Sequence, residues 1–438
     1  MMSKILFYVE RLIRPLTVVA LVAALGACAT TPQPPTPPAT PQPTPQATPQ
    51  PVPVLPFDEA LLKAANDLFA KAQLPSVASA PPTRYPLVID PLVDGMTGDQ
   101  SAATVSMQSR IEQLAREQYP QFDVQPFSTA AVEQSPIVLV GTFTPINQEG
   151  KTEGVREAYR ICLALADLKS GTIVSKGVAR AQPQGIDATP TRYFQDSPVW
   201  MRDPATEGYI KTCQGTKPGD PINPVYADRI RTAALIGEAI EAYNAGQYQR
   251  ALALYEEARQ TPGGDQLRVY NGIYLAQWRL GQREAATRSF GQIVDHGLAN
   301  QNLAIRFLFK PGSTAFIPNP QISGPYPLWL RQVAIHTANS NACLEITGHT
   351  SPTGPQPLND RLSMRRAEYI QQRLASQAPP LAKRTITVGK GSSENLVGTG
   401  KDDLSDALDR RVGFQVIDCA IPGSAATGNE ARTTGARI

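Results

Sequence analysis

The chain has 438 residues, and its 41 lysines and arginines nearly balance its 38 aspartates and glutamates, giving a formal net charge of +3. Such a balance leaves no strongly basic surface, which argues against nucleic acid as a partner. The three histidines lie far apart in sequence, and the motifs of zinc proteases and serine hydrolases do not occur. The sequence therefore predicts no catalytic activity, no metal site and no bound cofactor.

The N-terminus has the pattern of a secretory signal. A few basic residues precede an apolar stretch, residues 16–27, that is too short to span a bilayer. It ends in residues 25–28, LGAC, which resembles the lipobox of bacterial lipoproteins. This resemblance implies that residues 1–27 are removed, that Cys28 carries a covalent lipid and, since Ala29 follows instead of an aspartate, that the anchor lies in the outer membrane. The alternative is an ordinary signal peptide with a chance cysteine.

Two segments have compositions that cannot form a core. Residues 30–56 consist almost only of Pro, Thr, Gln and Ala, so residues 28–56 are predicted to be an extended linker after the lipid. At the rise of polyproline II the linker would reach about 80 Å. Residues 420–438, rich in Gly, Ala and Thr, are predicted to be a disordered tail.

Residues 57–225 are assigned to an α/β domain. An amphipathic helix is predicted over residues 57–73, and residues 183–225 are predicted to be rich in loops. Between residues 84 and 182 the pattern gives the order β-α-β-(α)-β-β-β, which resembles periplasmic domains of lipoproteins that serve envelope assembly or activate penicillin-binding proteins. The resemblance implies an interaction module. The predicted strands cover residues 85–93, 122–127, 137–146, 159–168 and 172–181, and the main helix covers residues 101–118.

Residues 226–302 contain a short internal repeat. A glycine, an alanine and an aromatic residue recur with the same spacing 35 positions later. The pattern resembles tetratricopeptide repeats, in which small residues let paired helices approach closely. Two helix pairs are few for a free-standing array, so docking on a neighbouring domain is predicted; a plain helical linker is the alternative. The repeated residues are Gly246, Ala251 and Tyr255, followed by Gly281, Ala286 and Phe290.

The most specific pattern lies in residues 346–374. A strand ends in Gly-His-Thr, a glycine loop follows, and Asn-x-x-Leu-Ser-x-x-Arg-Ala opens a helix. The pattern resembles the peptidoglycan-binding signature of the OmpA C-terminal-like family, and the resemblance extends over residues 303–419. It implies a βαβαββ domain, so the whole chain is predicted to be a multidomain α+β protein. The matching residues are Gly348, His349, Thr350, Gly354, Asn359, Leu362, Ser363, Arg366 and Ala367.

The resemblance also implies a ligand, the diaminopimelate group of the peptidoglycan stem peptide. A guanidinium fork binds a carboxylate through two hydrogen bonds, so this role is assigned to Arg366. The family carries an aspartate after Gly-His-Thr, where this chain has Ser351; loss of a charged partner for the ligand ammonium could cost about 1–3 kcal/mol. Weaker binding, a different stem-peptide residue and no ligand at all therefore stay open. The predicted contact residues are Thr350, Ser351, Asn359, Arg366 and Arg410.

Structural alternatives accompany several of these residues. Arg366 could instead form a salt bridge with Asp360 or Asp409. Asn359 is predicted to be the N-cap of the helix, and His349 to be a buried, hydrogen-bonded residue. The acidic residues Asp402, Asp403 and Asp406 are predicted to form a solvated turn.

The cysteines other than Cys28 form an even set. In an oxidising compartment they are expected to pair, and three connectivities are possible. The predicted domain boundaries favour one pair in each α/β domain. The expected disulfides are Cys162–Cys213 and Cys343–Cys419.

Taken together, the patterns predict an outer-membrane lipoprotein at the periplasmic face. It would bind peptidoglycan non-covalently through its C-terminal domain and recruit envelope proteins through its other two modules. The alternatives are an assembly or secretion scaffold that no longer binds peptidoglycan and an activator of cell-wall enzymes.

Overall fold

The computed structural model describes residues 53–74, 84–398, 400 and 405–419. The signal segment, Cys28, nearly all of the linker, the tail and the acidic pair Asp402 and Asp403 lie outside the described residues. The described residues belong to one compact unit. In the described ranges, no helix has both the length and the apolar character needed to cross a membrane.

Seven strands and six helices make up the described part of the first half of the chain. Their bounds, in chain order, are β1 Val54–Leu55, α1 Phe57–Ala70, β2 Tyr85–Ile89, β3 Val93–Asp94, α2 Ala102–Gln118, β4 Phe122–Gln125, α3 Thr129–Val132, β5 Ile137–Ile146, β6 Ala158–Asp167, β7 Thr172–Ala181, α4 Arg192–Asp196, α5 Pro204–Gln214 and α6 Pro224–Ala227.

These strands form one sheet in the order β1-β7-β6-β5-β2-β4, with β3 beside β5. The long strands β5, β6 and β7 pair as antiparallel hairpins, and β2 is parallel to β4 and β5. Apolar residues of α1 and α2 cover one face of the sheet, and those of α5, α6 and the following helix cover the other. Because β5 is covered on both faces, all ten of its residues are buried.

Helix α5 is an 11-residue helix within residues 183–225, a stretch that is otherwise rich in loops as predicted. The side chain of Asp203 accepts a hydrogen bond from the Thr206 amide at 2.8 Å and caps the helix. Pro204 occupies the first turn, where its missing amide hydrogen costs nothing. This Asp-Pro pair is a helix-start signal that the sequence reasoning missed.

Four helices form two antiparallel pairs in the middle of the chain: α7 Ile230–Asn244, α8 Tyr248–Gln260, α9 Leu267–Arg279 and α10 Arg283–Ala299. Gly246 and Gly281 join the members of each pair with φ of 78° and 76°, a conformation that favours glycine. The alanines and aromatic residues of the sequence repeat are all buried. Helix α7 packs on α3 and α4, and α10 packs on a helix of the C-terminal sheet, so both ends of the array are docked.

The C-terminal elements follow the predicted βαβαββ order. They are β8 Phe307–Leu308, α11 Pro320–Ser323, α12 Tyr326–Asn339, β9 Cys343–Gly348, α13 Gln356–Gln377, a 3-10 helix Pro379–Lys383, β10 Thr385–Gly389, a 3-10 helix Ser405–Leu408 and β11 Arg411–Ile417. The strand order is β10-β9-β11-β8. Strand β10 is parallel to β9, whereas β11 is antiparallel to β9 and β8. Residues of α12 and α13 share a core with this sheet and with the paired helices.

Both expected disulfides are present. Cys162 on β6 is joined to Cys213 on α5, with 6.1 Å between their Cα atoms. Cys343 at the start of β9 is joined to Cys419, two residues after β11, with 5.2 Å between their Cα atoms. Each disulfide lies within one of the two sheet regions.

Candidate functional site

The loop of residues 349–355, here called the GHT loop, connects β9 to α13. Helix α13 crosses the ends of β9 and β10 in direct backbone contact. A Cβ atom at Gly348 would lie 1.9 Å from the Ser363 carbonyl oxygen, and one at Gly389 would lie 2.7 Å from the Met364 nitrogen. Only glycine permits this approach, so both glycines help to place the GHT loop beside the helix.

Arg366 lies beneath the GHT loop with none of its surface exposed. Its guanidinium donates three hydrogen bonds to backbone carbonyls: to Ser313 at 2.9 Å, to His349 at 2.7 Å and to Lys310 at 2.8 Å. Its Cζ also lies 5.2 Å from the centre of the Phe309 ring. Arg366 thus ties the loop to the segment after β8 and puts a positive charge below it.

The carboxylates proposed as alternative partners of Arg366 are engaged elsewhere. Asp409 accepts hydrogen bonds from three backbone amides, those of Leu396 at 2.5 Å, Val397 at 3.0 Å and Gly398 at 2.7 Å. Asp360 accepts one from the side-chain amide of Gln356 at 2.7 Å. No ion pair joins Arg366 to either of these two carboxylates, and its guanidinium donates to main-chain oxygens.

Asn359 is not the helix N-cap. Helix α13 begins at Gln356 with Pro355 at the N-cap, so Asn359 lies inside the first turn. Pro357, also in that turn, is compatible with an earlier start because the first helical amides need no acceptor within the helix. The Asn359 side chain donates to the Thr353 carbonyl at 3.1 Å and therefore braces the GHT loop.

Thr350 and Ser351 are both buried at the centre of the GHT loop. The Thr350 amide donates to Gly391 at 2.8 Å, and its carbonyl accepts from the Asn395 side chain at 2.8 Å. The Ser351 hydroxyl lies 3.0 Å from that of Thr353. The Thr350 hydroxyl is different: it is buried and, among the described residues, it has no hydrogen-bond partner.

His349 is a buried residue, as predicted, but its Nδ1 forms no hydrogen bond with any described group. This nitrogen lies 3.8 Å from a carboxylate oxygen of Glu394. Burial, together with the positive charges of Arg411 and Lys390, lowers the pKa of His349 to about 2. The imidazole is therefore neutral at physiological pH and adds no charge to the site.

Two further buried arginines flank the loop, the predicted Arg410 and the unpredicted Arg411. Arg410 donates from Nε to the Phe309 carbonyl at 3.3 Å, and Arg411 donates to the Glu394 carbonyl at 3.1 Å. In the sequence, Asp409, Arg410 and Arg411 form a charged run at the start of β11, and this run could have indicated that Arg411 belongs to the site. Asp406 is wholly buried, which corrects the prediction that it belongs to a solvated turn.

The chemistry of this region suits an anionic or zwitterionic group. Of the described ionisable residues that are buried here, three are guanidiniums and two, Asp406 and Asp409, are carboxylates. Burial raises the pKa of Asp409, although its amide partners oppose the shift. Within the described residues no group of three or more His, Cys, Asp or Glu side chains is placed to hold a metal ion.

Residues 308–407 match the sequence model of the OmpA family. The C-terminal part of the chain is therefore an OmpA-family domain, which confirms the prediction from the 346–374 motif. The match does not reach residues 226–302, so the resemblance to tetratricopeptide repeats stays a prediction. No curated protein sequence matches the chain.

Solved structures similar to the chain align with about a quarter of it. The peptidoglycan-associated lipoprotein from Burkholderia pseudomallei is 23% identical, covers 26% of this chain and 92% of its own, and has a TM-score of 0.23. The cell wall anchor of the T6SS from Pseudomonas aeruginosa is 23% identical, with coverages of 25% and 75% and a TM-score of 0.21. An outer membrane protein from Borrelia burgdorferi B31 is 20% identical, with coverages of 26% and 86% and a TM-score of 0.20.

Proposed function

We propose that this chain binds peptidoglycan non-covalently through its OmpA-family domain, at the GHT loop. Under this proposal the lipid on Cys28 anchors the chain in the outer membrane, residues 28–56 span part of the distance to the cell wall, and the N-terminal domain and paired helices recruit envelope proteins. The ligand is the stem peptide, contacted at its diaminopimelate residue.

The Thr350 hydroxyl carries the proposal. A buried hydroxyl without a partner is unfavourable by about 1–3 kcal/mol, so such a group calls for an explanation. Its position in the Gly-His-Thr motif, above the Arg366 charge and in the segment that matches the OmpA family, is explained if a ligand supplies the missing hydrogen bond.

The end of the diaminopimelate side chain carries a carboxylate and an ammonium group, and different residues of the region would contact each of them. The guanidiniums of Arg366 and Arg410 give the buried surroundings a positive potential that favours the ligand carboxylate. Ser351 offers the ligand ammonium a neutral hydroxyl where the family carries an aspartate. We therefore expect recognition of the carboxylate to dominate and affinity to lie below that of domains with the aspartate.

A pair of isosteric substitutions tests the proposal. Thr350→Val removes the hydroxyl while keeping the shape of the side chain. Thr337→Val is the matched control, because the Thr337 hydroxyl on α12 is also buried and, among the described residues, also unpartnered. We expect Thr350→Val to weaken co-sedimentation with purified sacculi about threefold to tenfold, the value of one neutral hydrogen bond, and Thr337→Val to bind like wild type.

The contrary outcomes are informative. If wild type binds sacculi but a diaminopimelate-containing muropeptide does not compete, the ligand is a different part of peptidoglycan. If Thr350→Val and Thr337→Val bind equally well, the hydroxyl does not contact the ligand.

A scaffold that does not bind peptidoglycan is the second candidate, and the burial of Arg366 favours it. Three backbone carbonyls already engage this guanidinium, which is a stabilising role independent of any ligand. Absence of wild-type binding to sacculi would establish this candidate over the first.

A further inference from the structure

The hairpin between β5 and β6 reaches the candidate site from the N-terminal sheet. Arg156, near the end of the hairpin loop, donates from Nη2 to the Asn395 carbonyl at 3.0 Å. Its other terminal nitrogen donates to Gly154 within the hairpin at 3.0 Å. The aliphatic part of the side chain approaches Gly398, since a Cβ atom there would lie 3.2 Å from Arg156 Cγ.

Residues 394–398, here called the ENLVG segment, connect this contact to the GHT loop. The side chain of Asn395, which is itself buried, donates to the Thr350 carbonyl at 2.8 Å. The backbone amides of the next three residues, 396–398, donate to the carboxylate of Asp409, which lies just before β11. Arg156 is therefore separated from Thr350 by a single residue, Asn395.

A second contact from the N-terminal half reaches the same segment. Residues 198–200 pair with residues 304–306: the Trp200 amide donates to Ala304 at 2.9 Å, and the Arg306 amide donates to Pro198 at 2.8 Å. The Trp200 ring lies 4.3 Å from Cζ of Arg306 and 5.8 Å from Cζ of Arg411. Arg411 in turn donates to the carbonyl of Glu394, the first residue of the ENLVG segment, at 3.1 Å.

The contact between the two halves is itself anchored by buried charge. Arg306 and Asp99 are both buried, and Nη1 of Arg306 lies 3.3 Å from a carboxylate oxygen of Asp99. Its Nη2 also donates to the Phe194 carbonyl at 2.6 Å. Breaking a buried ion pair of this kind is costly, so the N-terminal half holds a defined position against the ENLVG segment.

We propose that Arg156 and Trp200 are positioning residues of the peptidoglycan site, so that the N-terminal α/β domain sets the affinity of the GHT loop. The inference rests on the proposed function. Both residues act through the ENLVG segment, which holds the backbone of Thr350 through its carbonyl and thereby the position from which the Thr350 side chain projects. Because coupling between two sites is reciprocal, a protein that displaces the hairpin would change peptidoglycan affinity, and peptidoglycan would change affinity for that protein equally.

Arg156→Gln tests the coupling in the purified full chain, and Arg180→Gln is its matched control. Arg180 also donates to a carbonyl of the same hairpin, that of Gln148, at 3.0 Å. The described contacts of Arg180 do not include the ENLVG segment. Both arginines are half-buried, so the two substitutions remove similar contacts from the hairpin.

Two measurements are made on each variant. Hydrogen exchange reports on the amides of residues 396–398 and of Thr350 without any ligand, and we expect exchange on the order of tenfold faster in Arg156→Gln than in Arg180→Gln. Titration with a diaminopimelate-containing muropeptide should give about threefold to thirtyfold weaker binding in Arg156→Gln. Arg156→Lys, which keeps a donor for the Asn395 carbonyl, should recover part of both effects.

The two readouts separate this inference from the proposed function. Wild type that binds neither sacculi nor the muropeptide would refute the proposed function and, with it, the effect of Arg156 on affinity, while the exchange rates would still decide whether the hairpin holds the segment. Equal exchange rates in the two variants would overturn the positioning role. Faster exchange with unchanged affinity would show that the segment does not shape the binding site.

Discussion

The two sheet regions of this chain differ in the ionisable groups that they bury. The N-terminal region buries the carboxylates Asp90 and Asp99 near the ends of short strands, whereas the loop end of the C-terminal sheet buries the guanidiniums of Arg366, Arg410 and Arg411. Burial raises the pKa of Asp90 and of Asp99 to about 7. The three guanidiniums make the second environment the more favourable one for an anionic ligand, which supports the binding site proposed at the GHT loop.

Removal of a disulfide is the change expected to destabilise the chain most, and the chain has one disulfide in each sheet region to compare. Their loops span 51 and 76 residues, for which the chain-entropy model gives a stabilisation of about 4 kcal/mol each. Cys162 and Cys213 are both buried, whereas Cys419 is exposed. We expect the double substitution of Cys162 and Cys213 by alanine to cost more than that of Cys343 and Cys419, because the first removes two buried sulfurs whereas the second removes only one, that of Cys343. Guanidinium chloride unfolding measures both losses.

Reduction should follow the same order of exposure. Mild reductant followed by alkylation and mass spectrometry should label Cys343 and Cys419 before Cys162 and Cys213. Simultaneous labelling would mean that both disulfides open only on global unfolding, and the two regions would then be a single cooperative unit.

Arg366 provides the next largest effect. Arg366→Met removes three hydrogen bonds from a guanidinium and leaves three carbonyl oxygens of the site region without that partner. We expect a loss of about 3 kcal/mol in the free energy of unfolding, measured by urea denaturation. Arg365→Met is the control, since the neighbouring Arg365 is exposed, and it should change stability by less than about 0.5 kcal/mol. Similar losses in both variants would contradict the structural role given to Arg366.

The sequence predicted regular strands and the C-terminal motif more fully than it predicted contacts. Strands β5 and β7 have the predicted bounds, because long apolar runs between turn residues specify buried strands. The motif around Gly348 identified the OmpA-family domain because close backbone packing there excludes other residues. Helix α5 was missed because its short apolar pattern is interrupted by polar residues.

The environment of the site could not be read from the sequence. A motif specifies that Arg366 is present, but whether its guanidinium faces solvent or three carbonyls depends on the segment after β8, more than fifty positions earlier in the chain. The contact between Arg156 and Asn395 joins residues 239 positions apart and leaves no local pattern. Local sequence thus identified the residue types of the site, and tertiary packing determined their exposure and partners.

The smallest effect expected is a difference in pH dependence between the two regions. His349 has a folded-state pKa of about 2, below its ordinary value near 6.5, so the unfolded chain binds a proton that the folded chain does not. The free energy of unfolding therefore decreases as the pH falls below about 6.5, because only the unfolded chain takes up this proton. Asp90 has the opposite sign, because its pKa of about 7 lies above the ordinary value and the folded chain binds the proton first. The contribution of Asp90 to the free energy of unfolding therefore increases as the pH falls from 7 towards 4.

Two variants separate these contributions by urea unfolding at pH 7.5 and pH 5. Relative to wild type, His349→Asn should become more stable on acidification by about 2 kcal/mol, because it removes a group that resists protonation when folded. Asp90→Asn should become less stable relative to wild type by a similar amount, about 2 kcal/mol, because wild type alone gains from protonating the buried carboxyl. The hydroxyl of Tyr226 donates to Asp90 at 2.7 Å, so an asparagine oxygen can still accept it. Shifts of the same sign in both variants would contradict the burial effect on the pKa of at least one of these two groups.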